Sequence, residues 1–437
     1  MFSLNVTSLS SRTSLDPDMN ALLALLARFA AFGATPAGGV TRLCASVEDG
    51  HARDLFEATL TASGAATKTD GVGNQFGLFP LADRTDAPLV MMGSHLDSQY
   101  RAGTLDGTLG VAASLCVGQA LMDVRRKGAR FDANFCAVNW TNEEGARFRP
   151  SLLGSGTFAG RFSEAFALER LDDRGISLRQ ALDAIGFRRA DVPPPMPACY
   201  LELHVEQGSV LEAARAQIGI VVRNWGATKI DVVLVGEQAH TGPTPMARRR
   251  DALLGAAYLI ATIRTIAERW PGLVHASVGR IVVLPNSANV VPARVELSVE
   301  LRSADDRLLA EAGKLAEAAI VEAAGRAGVE AAVAQRSNRL VRTLPTAVCD
   351  LVSLCAQEIG HRSVRMDTVS GHDALSMLGL CPTGLVFVPS IGGITHNEAE
   401  ATAEADLAAG LAVSTRAVHR LCRAGGSPEK AVQLRME

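Results

Sequence analysis

No stretch of this 437-residue chain is both long and uncharged enough to span a bilayer. Its eight cysteines, Cys44, Cys116, Cys136, Cys199, Cys349, Cys355, Cys381 and Cys422, include no Cys-x-x-Cys pair and have mostly apolar neighbours, which fits buried thiols in a reducing compartment. Positive charge is gathered nowhere. A net charge of -3 with acidic and basic residues interspersed leaves no footprint for nucleic acid and no polybasic anchor for a membrane, so a small-molecule partner is expected. No secretory signal is expected at residues 21–32, which follow Asp16 and Asp18, have no basic start and contain Arg28. Leu22, Leu23, Leu26 and Phe29 of that stretch instead keep helical spacing, and a cytoplasmic protein is the expectation. There is no fixed-period repeat, and Pro193-Pro194-Pro195 is the one low-complexity loop.

What is present is apolar residues, 48% of a chain longer than one core usually supports, so two domains are expected. The runs Leu89-Val90-Met91-Met92 and Phe135-Cys136-Ala137-Val138 read as strands buried on both faces, with a small, apolar helix over residues 108–124 between them. From Arg223 the pattern changes. Residues 229–235 and 294–301 alternate like strands with one wet face, accompanied by helical stretches at 249–268 and 305–327, the second with apolar Leu309, Leu315, Ile320 and Val321. Helix resumes over 346–359 and buried strand at 385–389. The expected fold is therefore α/β, with a small α+β domain at 223–341 inserted between the parts 1–222 and 342–437 of a larger one.

The chemistry concentrates in Gly93-Ser94-His95-Leu96-Asp97, Asp106-Gly107, Asn142-Glu143-Glu144-Gly145, His204 and His396. Imidazole nitrogen and carboxylate oxygen suit zinc-like divalent ions, and a two-ion site needs a carboxylate shared between them. His95 and Asp97, two apart at a strand end, leave the same face, so Asp97 can orient the imidazole from behind. Two adjacent carboxylates at 143 and 144 repel unless their roles separate, one on metal and one free as base. Each signal alone has a plainer reading. Asp106-Gly107 alone is a turn, His95 alone a hydrogen-bonded loop histidine, and the glutamate pair alone an exposed acidic loop.

Five segments in order resemble the amidase branch of the di-metal aminoacylase and carboxypeptidase superfamily, which includes N-carbamoyl-L-amino-acid hydrolases, β-ureidopropionases and allantoate amidohydrolases. They are residues 93–97, 140–148 (Trp-Thr-Asn-Glu-Glu-Gly-Ala-Arg-Phe), 202–208 (Glu-Leu-His-Val-Glu-Gln-Gly), 236–246 around His240, and 390–398 around His396. The resemblance implies a di-zinc exopeptidase-like catalytic domain with a central mixed sheet, and an inserted lid or dimerisation domain of a four-stranded antiparallel sheet and two helices. It implies two divalent ions, zinc or manganese, cobalt or nickel: His95, Asp106 and His204 would hold one, and Asp106, Glu144 and His396 the other. Glu143 would be the general base, and Asp97 a catalytic residue acting behind His95.

By the same resemblance, His240, usually supplied by the partner of a homodimer, would reach the oxyanion, while Gln207, Asn289 and Arg302 would hold substrate. An Arg fork suits a carboxylate. Without the resemblance, His240 reads as a turn histidine, Arg302 as a strand-end surface arginine, Gln207 as a loop cap, and residues 248–251 as a helix start carrying surface charge. The implied activity is cleavage of the carbamoyl C–N bond of an N-carbamoyl-L-amino acid or N-carbamoyl-β-alanine, releasing amino acid, carbon dioxide and ammonia. Alternatives are an allantoate amidohydrolase, an aminoacylase or dipeptidase, and, outside enzymes, a small-molecule binding protein that kept the fold. Departures from the pattern lie at residues 99–105 and 370–374, beside the expected pocket. Residues 225–229 lack the arginine-containing stretch associated with allantoate enzymes.

Overall fold

The computed structural model describes Leu15 and Pro17–Leu434; Asp16, one flank of the stretch at 21–32, lies outside these residues. The chain divides into two compact units, one made of the chain up to Val222, Leu344–Met366 and the chain from Gly371, the other of Arg223–Thr343 and Asp367–Ser370.

The first unit begins with a helix at Met19–Ala30, two residues earlier than the periodicity suggests, because Asp18 accepts hydrogen bonds from the amides of Asn20 and Ala21 and sets the start. Leu22, Leu25, Leu26 and Phe29 form its buried face. The strands that follow are β1 (Ala66–Thr69), β2 (Gln75–Phe79), β3 (Leu89–His95), β4 (Asn134–Trp140), β5 (Cys199–Val205) and β6 (Ile218–Asn224). Between β3 and β4 runs the helix Thr108–Arg126, buried along most of its length.

The second unit contains β7 (Gly226–Val235), β8 (Ala239–His240), β9 (Val274–Leu284), β10 (Val290–Val291), β11 (Arg294–Ser303) and β12 (Glu330–Arg339). The chain leaves it through β13 (Arg342–Thr343), then forms β14 (Ser363–Thr368) and β15 (Thr383–Val388).

The sheet of the first unit runs β1-β2-β4-β3-β5-β15-β6, with β14 also paired to β6, and is mixed. β4, β3, β5 and β15 are mutually parallel neighbours, while β1 and β2 extend one side antiparallel and β6 pairs antiparallel with β15. β3, β5 and β15 are buried at every position, as expected for strands covered by helices on both faces. Trp140 closes β4 fully buried, its Nε1 donating to Tyr200 Oη at 3.1 Å, and Tyr200 Oη donates in turn to the Gly93 carbonyl at 2.9 Å. Burial of each such ring contributes roughly 1.5–3 kcal/mol, and the polar tips are satisfied inside the core. β15, the last strand in sequence among the described residues, sits between β5 and β6, both far earlier in the chain.

In the second unit the antiparallel order is β12-β7-β11-β9. Ile230, Val232 and Leu234 of β7 and Val295, Leu297, Val299 and Leu301 of β11 are buried at alternate positions, under the helices Ala252–Ala267 and Asp306–Ala327. The expected α/β fold with a separate four-stranded antiparallel sheet is what the chain adopts. One detail differs. Val321 is 72% exposed, and the buried face of Asp306–Ala327 is built from Ala312, Ala316, Ala319 and Ala323 beside Leu309 and Ile320, small side chains that let the helix lie close to the sheet.

All eight cysteines are free thiols, with Cys381 alone half-buried. Among the described residues no helix is long and apolar enough to cross a membrane.

Candidate active site

Four parallel strands end side by side, the position where open α/β sheets form a crevice. His95 closes β3, Thr141 to Glu144 follow β4, His204 is the penultimate residue of β5, and His396 follows β15 after the turn Ile391–Gly393. Asp106 lies in the loop between β3 and the helix Thr108–Arg126. Its neighbour Gly107 adopts φ +65°, and a Cβ there would lie 2.3 Å from Cε1 of His95, so glycine is required both by the turn and by the packing. Residues with left-handed φ gather here without being glycine: Asn142 (+56°), Gln207 (+61°) and His396 (+50°).

The two oxygens of Asp106 face different partners. Oδ1 lies 3.2 Å from His204 Nε2 and 3.6 Å from His95 Nε2. Oδ2 lies 3.4 Å from His396 Nε2 and accepts from Gln207 Nε2 at 2.8 Å. Glu144 Oε2 stands 3.5 Å from the same His396 nitrogen and accepts from Gln99 Nε2 at 2.9 Å. Two groups of three result, His95, Asp106, His204 and Asp106, Glu144, His396, each with its candidate ligand atoms within 4.8 Å of one another. Nitrogen and oxygen donors sharing one carboxylate are a donor set that a pair of divalent ions fits. Glu144 Oε1 is buried with no hydrogen-bond partner, as a group facing a cation would be. The first group is buried; the second opens to solvent through His396, whose side chain is 46% exposed.

Burial pulls His95 down to about 4, against the opposing charge of Asp106. At His204 and His396 burial acts the same way, but hydrogen bonds to Asp106 and the charges of nearby carboxylates outweigh it and raise each to about 9. Burial would raise Asp106, yet its hydrogen bonds with His204 and His396 hold it well below the usual carboxylate range. Glu144 is pushed up to about 7, first by burial and then by Asp106. Glu143, whose Oε2 is 3.6 Å from His95 Nε2, is raised well above the ordinary range by burial and then by Asp373, Glu144, Asp97 and Asp106.

Asp97 works differently from the expectation. The strand ends at His95, and it is the backbone carbonyl of Asp97 that sits 2.8 Å from His95 Nδ1, while the carboxylate is 3.8 Å away. The carboxylate instead accepts from the backbone amides of Glu143 (3.1 Å) and Glu144 (3.3 Å), so it shapes the loop that carries both glutamates. Glu202, one turn of the pleat before His204, braces two other segments by accepting from Ser94 Oγ at 2.7 Å and the Ala374 amide at 2.6 Å. A third possible ion-binding group, Glu202, His204 and His372, shares His204 with the first and spends the Glu202 oxygens on those bonds.

The second unit holds His240, Asn289 and Arg302. β8 pairs with β10, which sets His240 opposite Val290, and the Thr241 amide donates to the Asn289 carbonyl at 3.2 Å. His240 Nδ1 accepts from the Gly242 amide at 3.0 Å, leaving the ring proton on Nε2. Arg302 lies at the far end of β11, where it contacts Glu300 Oε1 at 2.9 Å and the Val369 carbonyl at 2.6 Å. Residues 248–251 are not merely surface charge: Arg249 donates to the carbonyls of Thr241 and Thr244, tying down the loop after His240, and Asp251 caps the helix Ala252–Ala267. Contacts of Gln99 and Arg249 escape sequence reasoning because a side chain on a distant carboxylate or carbonyl leaves no local pattern.

The model described as peptidase family M20/M25/M40 matches residues 91–420. A Mycolicibacterium smegmatis protein named only as a hydrolase is 41% identical over 404 residues, 90% of this chain and 91% of its own. The Rhizobium meliloti N-carbamoyl-L-amino-acid amidohydrolase is 35% identical over 90% of this chain and 94% of its own. The Bacillus subtilis allantoate amidohydrolase is 30% identical over 90% and 95%. Among solved structures, a hydantoinase/carbamoylase family amidase from Burkholderia vietnamiensis superposes with a TM-score of 0.91 at 36% identity, covering 94% of this chain and 99% of that one.

Proposed function

The chain belongs to peptidase family M20/M25/M40 and is a hydrolase of amide C–N bonds, and from that premise we propose that its substrate is an N-carbamoyl amino acid, an N-carbamoyl-L-amino acid or N-carbamoyl-β-alanine. The observation that carries this reading is Asp106 dividing its oxygens between two histidine groups with Glu143 alongside. His95, Asp106 and His204 would hold one divalent ion and Asp106, Glu144 and His396 a second. When bound, such a pair supplies Lewis acidity and a water acidified toward neutrality.

The chain's own groups do the rest. Glu143 takes a proton from the attacking water as its oxygen bonds to the carbamoyl carbon, then delivers it to the amino-acid nitrogen as the C–N bond breaks. Carbamic acid leaves and falls apart to carbon dioxide and ammonia. An environment that raises the Glu143 carboxyl suits both halves of this transfer, since a carboxylate of ordinary acidity would accept the proton reluctantly. Gln207, whose Nε2 already meets Asp106, sits where it can orient a substrate amide.

The remaining substrate contacts argue for a homodimer. Arg302 lies near one end of β11 and the His240–Asn289 pair beyond the other, in a ladder whose register runs from Arg294 against Val235 to Arg302 against Ala227. Eight residues of extended strand span about 27 Å, too far for one copy of the unit to grip a single small substrate with both. His240 and Asn289 are therefore assigned to the site of the other copy, His240 offering its Nε2 proton to the developing oxyanion. The sheet offers a joining surface in the eleven-residue edge strand β9, beside the partly exposed Leu253, Leu254 and Ile260 of the helix Ala252–Ala267.

A second reading, allantoate amidohydrolase, has support in the Bacillus subtilis relative; Trp225-Gly226-Ala227-Thr228-Lys229, without arginine, favours the smaller carbamoyl substrate. Ammonia release from a panel of N-carbamoyl amino acids, allantoate and N-acyl amino acids, with acyl cleavage followed in parallel, separates the readings. Turnover of carbamoyl substrates is expected; turnover of allantoate alone selects the second reading, and turnover of acyl substrates alone refutes both.

A further inference from the structure

The loop from Gln99 to Asp106 is gripped at both ends by one short segment just past His396. At its outer end, Glu398 Oε2 accepts from Arg101 Nε at 3.1 Å and Nη2 at 2.7 Å, and the other oxygen of Glu398 accepts from Thr35 Oγ1. At its inner end, Glu400 Oε1 accepts from the backbone amides of Leu105 (3.2 Å) and Asp106 (3.1 Å). The second oxygen of Glu400 lies 3.4 Å from the hydroxyl of Thr395, the residue before His396, and that hydroxyl is 3.5 Å from Asp106 Oδ2. Glu400 is 7% exposed, and Gly103 packs so closely that a Cβ there would stand 2.3 Å from its Oε1.

This matters because His396 has little else to hold it. It follows no strand directly, takes a left-handed φ and is half in solvent. Asp106 is likewise on a loop. Donor atoms on loops keep ion-binding spacing only if a supporting group fixes them, and Glu400 reaches the amide of one and the neighbour of the other. Asp97 serves the Glu143–Glu144 loop by the same device, a buried carboxylate on consecutive or paired amides.

We propose that Glu400 is a positioning residue that locks the Asp106 loop to the His396 segment, so that the Asp106, Glu144, His396 group keeps the spacing an ion requires. The inference rests on the two-ion reading above. Its effect falls mainly on the second ion: both groups share Asp106, but the first draws its other two members, His95 and His204, from strand ends that need no such tie, whereas His396 lies on the segment Glu400 secures.

Metal-stripped wild type, Glu400→Ala, Glu400→Asp and Glu400→Gln are titrated with Zn²⁺ by equilibrium dialysis with metal analysis, and the metal-free forms are melted in parallel. Wild type takes two ions. Glu400→Ala keeps the first and binds the second about 10–100-fold more weakly, the usual cost of losing a group that orients a ligand. Glu400→Gln, whose amide oxygen can still accept from Leu105 and Asp106, recovers most of that affinity, whereas Glu400→Asp, one methylene short, does not. If the alanine variant is recovered unfolded, the Asp and Gln pair decides. Equal second-ion affinity in wild type and Glu400→Asp overturns the proposal, as does a loss of second-ion affinity confined to variants whose metal-free melting temperature also falls. A wild type that takes up no ion overturns the two-ion reading itself.

Discussion

Asp97 Oδ1 lies 3.1 Å from the backbone nitrogen of Glu143, and its other oxygen accepts from Glu144. A buried carboxylate is thereby used to aim two neighbouring glutamates in different directions. Asparagine at 97 would keep one acceptor and turn an NH₂ against the second amide. For Asp97→Asn we expect a folded protein whose kcat falls about 10–100-fold, with KM changing less. Steady-state kinetics with circular dichroism checks this, and wild-type kcat would show that the amide contacts are dispensable.

Glu143→Gln removes the proposed proton acceptor but keeps the shape of the side chain. The expected loss in kcat is about 10²–10⁴-fold, with metal content and KM retained. Metal analysis on the same sample used for kinetics is the check; unimpaired turnover with ions bound excludes Glu143 as base.

Ion uptake should release protons. In the metal-free site His204 and His396 are raised to about 9, so both are charged at neutral pH, whereas a ligating imidazole must be neutral. Apparent affinity therefore climbs as pH rises toward 9, by about tenfold per pH unit for each proton displaced, and levels off above it. Calorimetry at pH 7 in two buffers of different ionisation heat measures the release. Identical heats in both would contradict it.

Gly107→Ala forces a methyl against the His95 ring at a backbone angle that favours glycine. The expected cost is about 1–3 kcal/mol in denaturant unfolding, together with weaker binding at the His95, Asp106, His204 group. An unchanged unfolding midpoint would mean that the loop relaxes freely.

If His240 serves the other copy, two dead variants can rescue each other. Arg302→Ala and His240→Ala are each expected to be inactive, yet a mixed dimer has one site with both residues intact. Random reassembly of equal amounts restores about one quarter of wild-type activity, by the two-fold symmetry of the pair. No recovery in a mixture shown to contain mixed dimers would place both residues in one copy's site.

His95, Glu143, Glu144 and His204 were legible as candidates because an apolar run that stops at His95, at Glu143 and Glu144, or shortly after His204 is visible in the residues themselves, whereas Asp106 and His396, on loops, were drawn in by the resemblance. The antiparallel sheet was legible from alternation at 229–235 and 294–301. What stayed hidden depends on contacts across the chain. Nothing local distinguishes Glu400 from the neighbouring Glu398, since the amides it serves are almost 300 residues earlier. The carboxylate of Asp97 was misassigned for a related reason: spacing describes side-chain direction along a strand, but the strand ends at His95 and the loop turns the carboxylate to other amides. Val321 misled because an alanine face carries little apolar signal, although it packs closest.

The place of β15 between β5 and β6 has a consequence for how the molecule is made. Ribosomes lengthen a chain by about 5–20 residues per second, so β5 emerges roughly 10–40 s before the strand that will cover its edge. During that interval the stretch from β7 to β12, continuous in sequence, is free to fold alone, while the first sheet waits with an open seam beside the future crevice. A transcript truncated before Thr383 would yield a protein lacking both that strand and His396. Such a fragment would leave the β5 edge uncovered and lack one member of the Asp106, Glu144, His396 group, so sheet and crevice are completed only once the segment from Thr383 has been made.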